Sequence, residues 1–279
     1  MRVQIVLVVL AAGVLHAIWN AIAKQLTDQL IAFALIGVAA TAIGGGVLIF
    51  TGLPYKTAIP FACGSAVLHI AYEAGLMSSY KLGAFNQTYP IARGTSPLVV
   101  AVGAYVFANE RLPFLATCGI VILATGIVIL ALSSGKLNRA DRPAVIAAVL
   151  TGLAIASYTL VDGLGVRHSH HDPYAYGALL FMLQGPVFPL VALKRRTRRQ
   201  WGPPPIVIKG LLAGAISLVA YGAVLWAQTK APLAEVAALR ETSVISAALI
   251  GTFVFKERFG RKRVTAAVLV ATGIILIAV

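Results

Sequence analysis

Charge is scarce in this 279-residue chain: Asp, Glu, Lys and Arg together make up 11% of it, and 59% is apolar or aromatic. Soluble domains carry about 25% charged residues, because a globule must present a polar skin to water. That skin is missing, and a water-soluble enzyme is excluded. Acidic residues are scarcer still, 9 against 23 Lys and Arg, which leaves a formal net charge of +14. In a chain this apolar the excess reports position relative to a membrane rather than a nucleic-acid partner. Cysteine is nearly absent. Cys63 and Cys118 both lie inside apolar runs, so neither a disulfide framework nor a thiolate metal site is expected, and both read as small core residues. No GxxxxGK[ST] phosphate loop occurs, which removes the commonest signature of an ATP-driven pump.

What the chain has is length in apolar runs. Segments able to cross about 30 Å of hydrocarbon fall at 3–23, 30–51, 58–79, 84–107, 114–132, 143–162, 174–193, 207–228, 232–255 and 264–279. The fold class is therefore all-α and integral to a membrane, with ten transmembrane helices. The first run passes through His16, Trp19 and Asn20 to Lys24 without a small-residue cleavage pattern, so it is expected to be retained as a helix. The seventh contains Pro186 and Pro189, which predict a kink or break.

The most informative regularity is an internal repeat. Residues 93–127, RGTSPLVVAVGAYVFANERLPFLATCGIVILATGI, align without gaps to residues 240–274, RETSVISAALIGTFVFKERFGRKRVTAAVLVATGI. At one constant offset Arg93, Thr95 and Ser96 match Arg240, Thr242 and Ser243, and Glu110-Arg111 matches Glu257-Arg258. Upstream, Ala71-Tyr72 through Lys81 matches Ala220-Tyr221 through Lys230 after a two-residue adjustment. The chain thus reads as two five-helix units, 1–135 and 136–279. Five is odd, so the second unit enters the membrane the other way up and the pair forms an inverted repeat, an architecture of secondary transporters.

At these residues the chain resembles the drug/metabolite transporter superfamily, EamA type. The resemblance covers ten spans, two five-helix units and a Glu-Arg pair between the fourth and fifth helix of each unit; LHAIWNAIAKQ and ASYTLVDGLGVR are similar to a bacterial subgroup. It implies secondary transport of small metabolites, often export, without a cofactor or ATP hydrolysis.

Connections after odd-numbered helices carry sixteen of the 23 basic residues, among them Lys194, Arg195, Arg196, Arg198, Arg199 and the run Arg261-Lys262-Arg263. The other face carries five, Arg2, Lys56, Arg111, Arg167 and Lys230. By the positive-inside rule the first face is cytoplasmic and both termini point outward. The resemblance implies the opposite orientation, so charge and family disagree here.

Arg93 and Arg240 stand inside helices. An arginine at a helix centre costs about 2.5–3.5 kcal/mol on an insertion scale, so it faces a bundle interior or wet cavity and pairs with something. The pair reads either as an anion site, one arginine from each half, or as a buried ion pair with Glu241 or Glu73 that fixes packing. Glu73 lies within the third run, one turn after His69. A carboxylate desolvated at that depth meets the requirement for proton coupling, whereas one permanently paired to Arg93 does not. His16, Asn20 and Lys24 recur at four-residue spacing with Trp19 beside them, forming a polar stripe on the first helix. Tyr158 falls near the repeat mate of Trp19; Asp162, followed by two glycines, reads equally as a helix-terminal residue.

The expected substrate-binding set is His16, Trp19, Asn20, Glu73, Tyr89, Arg93, Tyr158, Tyr221, Gln228 and Arg240, with Glu73 also the proton-coupling residue. Glu235 reads as a favourable charge at a helix start. The run His168 to Asp172 reads as a solvated connection rather than a metal site, and the two Glu-Arg pairs as turn-closing devices. The chain is expected to be a multi-pass inner-membrane transporter of a small polar metabolite such as an amino acid or organic anion, a monomer or homodimer in the lipid bilayer, with no cofactor, no metal and no nucleic-acid partner. The alternative is an integral membrane enzyme acting on a lipid-like substrate.

Overall fold

A helix that stays within lipid must satisfy its own backbone, and the apolar runs do so along nearly their full length. The computed structural model describes residues 2–26, 28–82, 85–133, 142–246 and 261–278. These are all-helical with short connections. The helices are α1 (Val3–Gln25), α2 (Gln29–Thr51), α3 (Ile59–Leu82), α4 (Phe85–Ala108), α5 (Phe114–Ser133), α6 (Arg142–His168), α7 (Pro173–Gln184), α8 (Val187–Arg195), α9 (Pro204–Gln228), α10 (Leu233–Arg240) and α11 (Arg261–Ala278). Among the described residues seven candidate spans are long and apolar enough to cross a membrane, α7 and α8 together making one of them. Shorter apolar stretches in α5 and α11 accompany these.

The starts and stops follow local chemistry. Asp28 accepts from the N–H groups of Leu30 and Ile31 and caps α2; Asp172 does the same for α7 through Tyr174 and Ala175. The proline-bearing seventh segment breaks at Gly185-Pro186, as its sequence predicts. The ninth segment corrects the expectation of one helix over 232–255. α10 ends at Arg240, and Glu241 and Thr242 form a turn closed by tight hydrogen bonds from their N–H groups to Ala238 and Leu239. Residues 247–260 lie outside the described residues, and with them Glu257-Arg258.

Helices approach closely where glycine removes a side chain. A Cβ on Gly37 would lie 2.3 Å from the Gly185 carbonyl, and one on Gly44 2.8 Å from that of Ala178, which seats α2 against α7. A Cβ on Gly119 would meet the Gly273 carbonyl at 2.8 Å, and one on Gly126 the Ala266 carbonyl at 3.0 Å, which seats α5 against α11. The remaining contacts close the bundle: α3 and α4 pack on α6, α1 packs on α9 and α10, and α10 packs on α4.

The connections pair by membrane face. Arg196, after the seventh segment, donates to Asp28, after the first, at 2.6 Å. On the opposite face Thr57 donates to the His168 carbonyl at 2.9 Å and the ring of Tyr55 meets that of His170 edge-on. The cysteines depart from expectation: Cys63 is exposed and Cys118 half-buried, neither in the core. Lipid is as apolar as a protein interior, so an apolar run does not distinguish the outer face of a membrane helix from its inner face.

Candidate functional site

Gly13 and Gly152 bring the first and sixth helices onto the two arginine-bearing segments. A Cβ on Gly13 would lie 2.8 Å from Thr242 Oγ1 and 3.4 Å from the Arg240 carbonyl; one on Gly152 would lie 2.5 Å from the Ala92 carbonyl and 3.0 Å from Thr95 Cβ. α1 therefore presses on the turn after Arg240, and α6 on the segment around Arg93. Pro90 and Pro97 interrupt the hydrogen-bond ladder of α4 on either side of Arg93.

Both arginines are buried, 2% exposed for Arg93 and fully enclosed for Arg240, and they converge on one carboxylate. Arg93 Nη1 donates to both oxygens of Glu241 at 3.4 Å, and Arg240 Nη2 donates to Glu241 Oε1 at 3.4 Å. Of the two partners open in the sequence, the structure selects Glu241. Arg240 Nη2 also donates to Thr159 Oγ1 at 3.1 Å, and its guanidinium lies over the Tyr158 ring at 5.7 Å. Arg240 Nε and Nη1 are buried without a hydrogen-bond partner. Two guanidinium groups against one carboxylate leave one positive charge in excess at this point.

A second buried carboxylate stands across the aromatic layer. Asp162, fully buried, accepts from Tyr176 Oη at 2.8 Å and from the Tyr221 hydroxyl, with His69 Nε2 at 3.9 Å from its Oδ2. His69 stacks on Tyr158 with ring centroids 3.9 Å apart, and Tyr221 meets both rings edge-on. The Tyr158 ring thus packs against both the His69 imidazole and the Arg240 guanidinium, which joins the two charged centres into one buried network. Asp162 belongs to the buried network and is not helix-terminal; α6 continues six residues beyond it to His168.

The first-helix stripe enters from the side. Trp19 donates from Nε1 to His16 Nδ1 at 2.9 Å, which leaves the neutral His16 ring with its proton on Nε2. That Nε2 is buried, has no partner and belongs to a ring lying edge-on to Tyr221. Trp19 itself packs with Ala23, Leu26, Ala32, Ile36 and Ala213, and Asn20 bonds back to the His16 carbonyl at 2.8 Å. Lys24 is exposed at the helix end. Gln228 donates to the Thr159 carbonyl at 3.3 Å and keeps its Oε1 without a partner.

Glu73 is not drawn into this network. It is half-buried, and among the described residues it has no hydrogen-bond or ion-pair partner. The side chain of Tyr89 lies outside the described residues. Thr159 and Tyr176 carry no signal in the sequence, and Glu241 only that of a possible counter-ion. The adjacency of Arg240 and Glu241 at the start of the second repeat segment is the one signal pointing to the last.

Glu110 closes the face that holds the His168 connection. Its Oε1 lies 2.8 Å from Arg167 Nη2 and its Oε2 accepts from the Leu233 N–H at 2.8 Å, so it ties the loop before α5 to the end of α6 and the start of α10. Its partner is Arg167 and not the adjacent Arg111. Glu235 sits in the first turn of α10, as expected. In the His168–Asp172 run, His168 stacks on Phe61, His170 meets Tyr55 and Asp172 caps α7. No group of three metal-ligating side chains gathers among the described residues.

The described residues form a bundle of apolar helices, long enough to cross a membrane, around a buried, charge-bearing network. Residues 142–279 match the model of the EamA-like transporter family, part of the drug/metabolite transporter superfamily, and over those residues the chain is similar to that family of membrane transporters. A solved structure described only as "Crystal structure of protein" has the same fold at a TM-score of 0.75, with 15% identity over 100% of this chain and 99% of that one. No curated protein matches the chain.

Proposed function

We propose that this chain is an inner-membrane secondary transporter of a small polar metabolite bearing an anionic group, an amino acid or an organic anion. It binds that metabolite between the two units 1–135 and 136–279. The single observation that carries the reading is Arg240: fully buried, sharing one carboxylate with Arg93, and left with Nε and Nη1 unpartnered. Buried donors are rarely left unmade, and a buried arginine edge facing unpaired is matched by a carboxylate or phosphonate acceptor. The His16 Nε2 proton adds a further donor beside Tyr221.

The ten-helix inverted repeat is supported by contacts that exchange under the repeat. The Gly37–Gly185 approach has Ala178–Gly44 as its mate, and Gly119–Gly273 has Ala266–Gly126. The Gly13–Thr242 contact likewise corresponds to Gly152–Thr95. The site then sits where segments from both units meet, with the broken helix at Glu241-Thr242 providing the irregular backbone found at such sites. The pairing of the loops supports the grouping of connections into two faces on which the charge count rests; by that count the connection holding Arg196 is cytoplasmic and both termini point outward. Glu73 is the proton-coupling residue in this reading, and a monomer or homodimer suffices.

The test is transport. Comparing metabolites in cells with and without the protein identifies candidates, and flux of each into proteoliposomes then checks them. Flux of an anion-bearing metabolite that Arg240→Gln abolishes, with the variant still folded, supports the reading. Conversion of a lipid-like compound without flux replaces it by the membrane-enzyme alternative.

A further inference from the structure

Two cavities adjoin on the face that carries few positive charges. One, of about 480 Å³, lies between α1, α2, α7 and α9. Its depth is formed by Phe181 and Leu218, 8% and 7% exposed, and its rim by Ile43 and Val219, 41% and 64% exposed, so it is a recess opening sideways toward lipid. Its wall is apolar, and glycines 44, 177 and 222 give it width. The other, of about 530 Å³, lies at the end of α1 and α9 and is lined by Arg2, Gln4, Lys230 and Glu235. Trp226 borders both, and Lys230 Nζ lies 5.9 Å from its ring centroid. Ile5 lines the polar cavity and Val8, one turn further along α1, the apolar one.

We infer that these cavities form one binding site for an anionic glycerophospholipid, an acyl chain in the recess and the phosphodiester between Arg2 and Lys230. The order of chemistry along α1 and α9 is that of a lipid read from tail to head: apolar wall, tryptophan, then cations. Tryptophan takes the headgroup level of a bilayer, and each Lys or Arg near the surface favours anionic lipid. Only five basic residues belong to this face, and Arg167 is held by Glu110. Two of the remaining four converge on the polar cavity, where Glu235 offsets one of them and leaves a positive balance that selects an anionic headgroup over a zwitterionic one. The recess also has functional reach: Phe181 at its depth meets Tyr221 edge-on at 6.3 Å, and Tyr221 holds Asp162. A chain seated there lies one ring away from the buried network.

Gly222 makes the site testable without unfolding the protein, because nothing lies within 4 Å of where its Cβ would be. Gly222→Phe fills the recess rather than clashing with a neighbour. The experiment is native mass spectrometry of the full chain, delipidated in detergent and titrated with phosphatidylglycerol or phosphatidylethanolamine, with thermal unfolding followed in parallel. The expected result is one phosphatidylglycerol retained in preference to phosphatidylethanolamine. Retention falls roughly thirtyfold in Arg2→Gln/Lys230→Gln, and Gly222→Phe loses both the lipid and its stabilising effect while unfolding at or above the temperature of the lipid-free parent. Equal retention of the two lipids, or retention unchanged in Gly222→Phe, overturns the inference. A lipid-independent dimer that Gly222→Phe dissociates overturns it too, since the occupant is then a second copy of the chain.

Discussion

Arg93 donates to both carboxylate oxygens of Glu241 although 148 positions separate the two residues, and Arg240 reaches the same carboxylate from the adjacent position. One acid thus serves two buried guanidinium groups. Its removal takes the shared counter-charge from two like charges held out of water, and removing one partner of a buried pair costs about 3–5 kcal/mol. Glu241→Gln is expected to lower stability in detergent by about that amount. Adding Arg93→Gln to it should recover part of the loss, because the second change removes one of the two like charges. A double variant that is less stable than the sum of the singles would contradict the shared-carboxylate geometry.

Glu110 has two distinct jobs, pairing with Arg167 and accepting the Leu233 N–H at the start of α10. Glutamine keeps an acceptor for the N–H and loses the charge; alanine loses both. Stability should therefore order as parent, Glu110→Gln, Glu110→Ala. The alanine variant should be down about 1–2 kcal/mol from the lost cap and pair together, as read by thermal unfolding. Equal losses in the two variants would mean that the charge alone matters.

The repeat in the sequence singles out Arg93 and Arg240, because a charged pair at a constant offset within apolar runs has no explanation in hydropathy. The break at Pro186 and the caps at helix starts were equally open to local reasoning. The partners were not. Asp162 meets Tyr176 and Tyr221 only because α6, α7 and α9 come together, and Glu110 prefers Arg167 over its neighbour Arg111 for the same reason. Cys63 shows the other limit. In a membrane protein the outer face of a helix is as apolar as the inner face, so composition alone put on the inside a residue that faces out.

Asp28 provides a pH-dependent element on the opposite face. Partial burial pushes its carboxyl up, but the Arg196 guanidinium at 2.6 Å and the N–H groups of Ile31 and Leu30 overcome that and hold it below its ordinary value. A folded-state value below the unfolded one contributes stability that is present above about pH 4 and is lost as pH falls through the folded value. The pair is partly solvated, so its contribution is about 0.2–1 kcal/mol. Asp28→Asn should be slightly less stable than the parent at pH 7 and should lose less stability on acidification below pH 4. Parallel pH profiles for the two would show that the Asp28–Arg196 contact contributes nothing.

Glu73, half-buried, stands apart from the two buried acids of the network. Glu241 is held by two guanidinium groups and Asp162 by two tyrosine hydroxyls, whereas Glu73 has no such partner among the described residues, one turn along α3 from His69. A carboxylate that breaks no ion pair when it gains or gives up a proton is the one suited to exchange it during transport. In proteoliposomes, flux of the substrate should respond to an imposed pH gradient in the parent. In Glu73→Gln that response should vanish while exchange of labelled for unlabelled substrate continues, since glutamine preserves the shape and removes only the titration. Retention of the gradient response in Glu73→Gln would move proton coupling to another group, and Asp162 with His69 at 3.9 Å is the next place to look.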